Sequence, residues 1–250
     1  MTAKAYRLLR AVLNTAVDDE LIRRDPCRIQ GAGIERPTER PTATVAQVFH
    51  LADIVPGRLR VLIVLAAFAR LRYGELAALR RRDFDSRCQT LTVRATLVER
   101  QDGTLLFGPP KTDAGMRTVT IPAAIRRDVR AHLDDFVDED QDALVFIGAT
   151  GAVLRRSNFQ RTSNWRVSVA AVGLPGFHFH DLRHTGNTLA SRTGASLADL
   201  MARMGHASTR TAMIYQHTAR EQDKQIADAL TSQIKKSQDR ARSGHGKRNE

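Results

Sequence analysis

Between residues 89 and 121 the chain changes texture, and that change limits the folds open to it. The runs QTLTVRATLV, GTLLFG and RTVTIP are rich in β-branched residues and separated by Asp-Gly and Asp-Ala-Gly turns, so they predict short strands. On both sides the periodicity is helical. Residues 3–24 space Leu8, Leu9, Val12, Leu13, Ala16 and Val17 at helical intervals until Asp25-Pro26 ends the pattern. Thr44 is placed to cap a helix carrying Val48, Phe49 and Leu51, with Gln47 at the capping-box position. Residues 58–80 predict one or two mostly buried helices, and 122–135 and 157–171 predict two more. Three further helices are expected over 180–193, 196–204 and 208–217. A small β-rich insert among helices makes the chain α+β and mainly helical.

The linker GAGIERPTERPTAT, rich in Gly, Pro and Thr, sets a domain boundary after the first helix. At the other end, Ile226, Leu230 and Ile234 form an apolar stripe on the stretch 219–236, and the polar, basic tail SGHGKRNE that follows is expected to be disordered. The apolar run VLIVLAAFA at 61–69 is too short to span a bilayer, and MTAKAYRLLR lacks the apolar region of a secretory signal. Two cysteines, Cys27 and Cys88, argue for a reducing, cytoplasmic setting without a disulfide framework. The net charge of +12 asks for a polyanionic partner, nucleic acid first; charge alone leaves DNA, RNA and an acidic membrane open. Between Lys4 and Lys224 the only lysine is Lys111, in a chain otherwise dependent on arginine. Arginine cannot readily give up a proton and lysine can, so Lys111 is a candidate proton donor.

The segment HDLRH, 180–184, resembles a zinc motif at first sight. On a helix His180, Arg183 and His184 share a face, whereas Asp181 lies about 100° from His180. A guanidinium beside a dication with the carboxylate turned away is poor electrostatics for a metal. The same set suits a phosphate, which an arginine fork and imidazole N–H groups can clasp; a packed, hydrogen-bonded role stays open for His184. Downstream, His206 of MGHAS falls just before a helix start, near unpaired backbone N–H groups that favour anions. Tyr215 follows in TAMIYQHT, where a packed core role is the ordinary alternative. Upstream, Arg72 interrupts an apolar helix and needs a partner: Glu75 three residues on, or a ligand phosphate. Helix 157–171 is expected to expose Arg161, Asn164 and Arg166 around Trp165, a candidate DNA-binding cluster.

Taken in order, ARLRYGELAALRRRDFD, PPKTDAGMRTVTIP, HDLRHTGNTLA, MGHAS and TAMIYQHT closely resemble the tyrosine recombinases, the phage-integrase family, over residues 42–220. The resemblance implies a mainly helical α+β catalytic domain with a small antiparallel three-stranded sheet. It implies that Tyr215 is the nucleophile that forms a 3′-phosphotyrosyl bond with double-stranded DNA. Arg72 and Arg183 would hold the non-bridging oxygens, with His206 adding a hydrogen bond, and His180 would handle the tyrosine proton. Lys111 would protonate the departing 5′-oxygen, and Glu75 would orient the arginine pocket. Neither metal nor cofactor is required. Residues 1–30 resemble the last helix of a core-binding domain and 31–41 a linker, so a truncated core-binding domain is expected ahead of the catalytic domain at 42–220. Residues 221–250 would form a C-terminal helix and tail, the helix docking on a neighbouring protomer of a DNA-bound homotetramer or on its own domain.

The expected activity is site-specific recombination. The competing readings are a DNA-binding remnant without efficient recombination, a type IB topoisomerase-like relaxing activity and, remotely, a zinc hydrolase built on His180 and His184. Target sites and direction of the reaction are not legible in the sequence. The excess of +12 charges makes one outcome measurable: DNA affinity should fall steeply with salt, with a log–log slope of several units, because each neutralised phosphate releases counterions. A nearly flat slope in a salt titration would mean that the positive charge is solvated surface.

Overall fold

The computed structural model describes residues 2–34, 40–110 and 115–193. The expected helices at 196–204 and 208–217 and the amphipathic stretch 219–236 lie outside the described residues. The chain divides between Arg40 and Pro41 into two compact units.

In the first unit, helix α1 (Thr2–Asp18) buries none of its residues and leaves Leu8, Leu9 and Val12 exposed. It ends earlier than the apolar spacing suggests, because Glu20 adopts a left-handed φ of 59° and turns the chain. The segment that follows is tied back to the helix: the Tyr6 hydroxyl accepts the Ile29 N–H at 2.8 Å, and Arg10 Nε lies 3.3 Å from Asp25 Oδ2.

The second unit opens with α2 (Val45–Ile54), capped by Thr44 and Gln47 in the reciprocal pair that the sequence predicts. Helix α3 (Gly57–Val64) runs directly into a π-helical turn (Leu65–Ala69), and this stretch is almost wholly buried. Arg70 ends it in the left-handed region, φ 59°. The chain then restarts as the short helix α4 (Tyr73–Ala77). Helix α5 (Ala123–Phe136) covers the core with Ile125, Val129 and Leu133. The single helix expected over 157–171 is two: α6 (Arg156–Thr162) and α7 (Trp165–Ala171). The break falls where the Ser163 hydroxyl bonds back to the Phe159 carbonyl at 2.7 Å and Asn164 takes a left-handed φ of 45°. Helix α8 (Phe179–Ser191) closes the described residues. Phe159, Trp165, Phe179 and Tyr73 pack ring against ring beneath it, with centroids 5.1–5.8 Å apart. Among the described residues no helix is long and apolar enough to cross a membrane.

The chain is α+β and mainly helical, as expected, but the three-stranded sheet is not what the described residues form. The first β-rich run splits into β1 (Thr90–Val93) and β2 (Thr96–Glu99), and these take different partners. β1 pairs antiparallel with β4 (Arg117–Thr120), Thr90 opposite Thr120. β2 pairs with β3 (Leu105–Gly108), Thr96 opposite Gly108. The run breaks at Arg94-Ala95, where Arg94 turns its side chain to Asp83, Nε to Oδ1 3.1 Å. Four strands therefore make two two-stranded ladders.

Two glycines allow the elements to close up. A Cβ at Gly74 would stand 2.5 Å from the Leu97 carbonyl oxygen, so α4 can lie against β2 only without a side chain there. At Gly186 a Cβ would stand 1.9 Å from the Ala67 carbonyl oxygen, so α8 rests directly on the backbone of the π-helical turn. Gly186→Ala should therefore force α8 away and lower stability by roughly 1–3 kcal/mol, the usual cost of overpacking. Urea unfolding of the variant measures this; an unchanged midpoint would mean that the contact yields without cost.

Candidate phosphate-binding site

The site begins with a carboxylate. Glu75 is 2% exposed, on the inner face of α4. Its Oε1 accepts Arg72 Nη1 at 2.8 Å and Arg117 Nη1 at 3.2 Å. Its Oε2 accepts the Arg72 backbone N–H at 2.9 Å and Arg117 Nη2 at 3.0 Å. Burial pushes the Glu75 carboxyl up, but the Arg117 hydrogen bonds and charge, the Arg72 N–H and the field of Arg183 together hold it below the ordinary carboxylate range. An ionised carboxylate at this depth is tenable only because both oxygens are paired with cations.

Arg72 is not inside a helix, as its apolar surroundings suggest. It occupies the N-cap of α4 with extended backbone (φ −73°, ψ 156°), released from the preceding helix by the turn at Arg70. Its side chain is 41% exposed while Glu75 is buried, so the partner anticipated for a buried arginine exists, with the burial reversed. The fully buried arginine is Arg70, at 1% exposure, and its two terminal nitrogens have no hydrogen-bond partner among the described residues.

Arg183 comes from α8 and is 3% exposed. Its Nη1 donates to the Arg70 backbone carbonyl, so the left-handed turn that frees Arg72 also holds Arg183. On the same helix the His180 and His184 rings stand edge to face, centroids 4.9 Å apart, as the i, i+4 spacing implies. Asp181 faces elsewhere. It is fully buried, and its Oδ2 accepts the His178 N–H at 2.7 Å as part of the helix cap. The carboxylate within HDLRH is thus committed to starting α8.

Lys111, His206 and Tyr215 lie outside the described residues. The flanks of Lys111 are described: it falls between β3 and β4, as the turn signals imply. Pro110 and Gly115 touch, since a Cβ on Gly115 would meet Pro110 Cβ at 2.3 Å, and the Gly115 carbonyl accepts Arg117 Nη1 at 3.0 Å. Arg161, Asn164 and Arg166 are exposed around the α6–α7 break, with Arg161 Nη2 on Asn158 Oδ1 at 2.8 Å. Trp165 between them is buried, its indole N–H on the Phe177 carbonyl at 2.9 Å.

Arg117 escaped the reading of the sequence. The signal was there: in RTVTI the inward positions are Arg117, Val119 and Ile121, so strand alternation aims a guanidinium into the core. Tyr73, next to Arg72, is not available as a nucleophile: burial pushes its hydroxyl pKa up, and the hydroxyl donates to the Leu154 carbonyl at 3.1 Å. The assembled cluster of Arg72, Arg117 and Arg183 around one carboxylate carries a net positive charge and can receive an anion.

Known proteins resemble this chain over most of its length. The integrase of Mycobacterium phage FRAT1 is 37% identical over 231 residues, 91% of this chain and 68% of that protein. The integrase of Mycobacterium phage L5 is 35% identical over 235 residues, 93% of this chain and 63% of that protein. The protein assigned as the integrase of prophage phiRv2 in Mycobacterium tuberculosis is 36% identical over 96% of this chain, which spans 64% of that relative's length. Among solved structures, the Tn1549 transposon integrase in complex with a circular intermediate DNA matches with a TM-score of 0.71 at 21% identity, over 89% of this chain and 78% of that one. XerA recombinase matches with a TM-score of 0.59 at 20% identity, over 89% of this chain and 74% of that one; both likenesses are of fold. Residues 42–222 match the phage integrase family model, and the chain belongs to that family.

Proposed function

We propose that this chain cuts and rejoins double-stranded DNA at specific sites through a 3′-phosphotyrosyl intermediate. The observation that carries the reading is the Glu75-centred arginine cluster, with Arg183 held beside it by the Arg70 carbonyl. Its net positive charge is pre-oriented and its members are anchored before any ligand arrives, which is what stabilisation of a developing phosphorane requires. Family membership supports the same chemistry.

In this reading Tyr215 attacks the scissile phosphorus and the bond to the 5′-oxygen breaks. The phosphoryl group passes to the tyrosine and its bond energy is kept for rejoining. The tyrosine proton leaves toward His180, and Lys111 delivers a proton to the 5′-oxygen. Arg72, Arg183 and His206 take the charge on the non-bridging oxygens. These roles balance without a metal ion or a cofactor. Of the three tyrosines, Tyr73 is tied to Leu154 and the Tyr6 hydroxyl accepts the Ile29 N–H, which supports Tyr215 as the nucleophile. Arg161, Asn164 and Arg166 supply phosphate contacts outside the cage, and a homotetramer on DNA, in the cytoplasm of a bacterial cell, is the assembly we expect. The catalytic domain in this reading is 42–220, preceded by part of a core-binding domain at 1–30 and a linker at 31–41 and followed by a C-terminal helix and tail at 221–250. A DNA-binding remnant is less favoured, because the full set Arg72, Lys111, His180, Arg183, His206 and Tyr215 is present.

A pool of nicked duplexes of randomised sequence, incubated with the chain, should yield protein–DNA adducts that survive denaturant, and the captured duplex then serves as substrate. Tyr215→Phe should bind that duplex and form no adduct; an undiminished adduct would remove Tyr215 from the role. With the same duplex, Lys111→Ala should slow cleavage by roughly 10²–10⁴, the usual contribution of general acid catalysis. Replacing the 5′-bridging oxygen by sulfur, whose thiolate leaves unprotonated, should restore most of the rate. Equal slowness on both substrates would assign the proton to another group.

A further inference from the structure

The mechanism above leaves Arg117 without a task, although it makes as many hydrogen bonds to Glu75 as Arg72 does. Its side chain is 6% exposed, against 41% for Arg72. Both terminal nitrogens of Arg117 are already engaged, Nη1 by Glu75 and the Gly115 carbonyl and Nη2 by Glu75, so its donors are committed inside the protein before a phosphate arrives.

Consider the charges without Arg117. Glu75 and Arg72 would form a neutral ion pair, with Arg183 acting on the carboxylate through its field alone and no second guanidinium fork on its oxygens. Such a pair is a poor anion receptor, because the buried carboxylate takes up the field that the phosphate needs. With Arg117 present the three groups carry one net positive charge, and that excess is expressed at the exposed member. Glu75 can then fix the geometry of Arg72 through its Nη1 and its backbone N–H without cancelling its charge. The fork-to-fork geometry, Nη1 to Oε1 3.2 Å and Nη2 to Oε2 3.0 Å, is what a dedicated counter-charge looks like.

We propose that Arg117 is a positioning residue that acts as the counter-charge of Glu75, leaving the charge of Arg72 available to the scissile phosphate. The inference rests on the strand-transfer reading above and deepens it. Arg117 also holds the Gly115 carbonyl at 3.0 Å, so the strand that follows the Lys111 segment is anchored to the same carboxylate as the arginine that faces the substrate.

The test is single-turnover cleavage of the captured nicked duplex by wild type, Arg117→Met, Arg117→Lys, Glu75→Gln and the double variant Glu75→Gln/Arg117→Met. Arg117→Met should cleave slower by roughly 10²-fold, the lower end of the cost of removing a direct oxyanion contact. Adding Glu75→Gln to it should make cleavage faster again, because the carboxylate that drains Arg72 is gone while an amide oxygen still accepts from it. A purely structural Arg117 gives the opposite order: two injuries to one buried cluster are worse than one. A double variant as slow as or slower than Arg117→Met would overturn the proposal, as would Arg117→Met cleaving at the wild-type rate. If circular dichroism finds Arg117→Met unfolded, Arg117→Lys decides, since it keeps the charge with fewer donors. Cleavage within several-fold of wild type supports the counter-charge, and a folded but inactive Arg117→Lys overturns it. Failure of the wild-type chain to capture any duplex would instead overturn the strand-transfer reading itself.

Discussion

A single buried carboxylate sets the terms for the rest of the site. Glu75 cannot stay ionised at 2% exposure without cations on both oxygens, and it recruits Arg72 from its own helix and Arg117 from β4 to supply them. The two residues are 45 positions apart in sequence, so the ion pairs also tie the helical core to the ladder of β1 and β4. Breaking such a group by removing one partner costs more than the isolated pairs suggest, because the survivor is left charged and dry.

Backbone geometry does the rest. A continuous α-helix from residue 57 to residue 77 would bury Arg72 among leucines. The π-helical turn at 65–69 and the left-handed Arg70 break that path, bring Arg72 to a helix N-terminus and turn the Arg70 carbonyl toward Arg183. Glycine at 186 lets α8 approach the same turn closely enough for Arg183 to reach that carbonyl. Left-handed backbone at a non-glycine residue is costly and tends to persist where the surrounding structure over-determines it. Here it lies between the two arginines assigned to one phosphate.

Much of this was legible in the sequence, and the exceptions have physical causes. The capping box at Thr44 and Gln47, the helix through HDLRH and the place of Lys111 between strands follow from local rules that depend on a few neighbouring residues. The split of QTLTVRATLV into strands with different partners did not, because it follows from the pairing of β1 with β4 and of β2 with β3, long-range contacts that periodicity does not carry. The left-handed turn was invisible for a related reason: glycine would have announced it and arginine stands there. Arg117 is marked only by alternation along a four-residue strand, which does not separate an inward guanidinium from the other basic residues of a chain of charge +12 until the buried face of that strand is known.

The most direct test of the cage is a crystal structure of the chain with orthovanadate joining Tyr215 to the 3′-hydroxyl and the 5′-hydroxyl of a duplex that lacks the scissile phosphate, a trigonal bipyramid in place of the phosphorane. The expected result has the Arg72 and Arg183 guanidiniums on the two non-bridging equatorial oxygens at about 3 Å, with Glu75 still held between Arg72 and Arg117. Equatorial oxygens held by other side chains, or a Glu75 that has let go of Arg72 in the bound state, would contradict it.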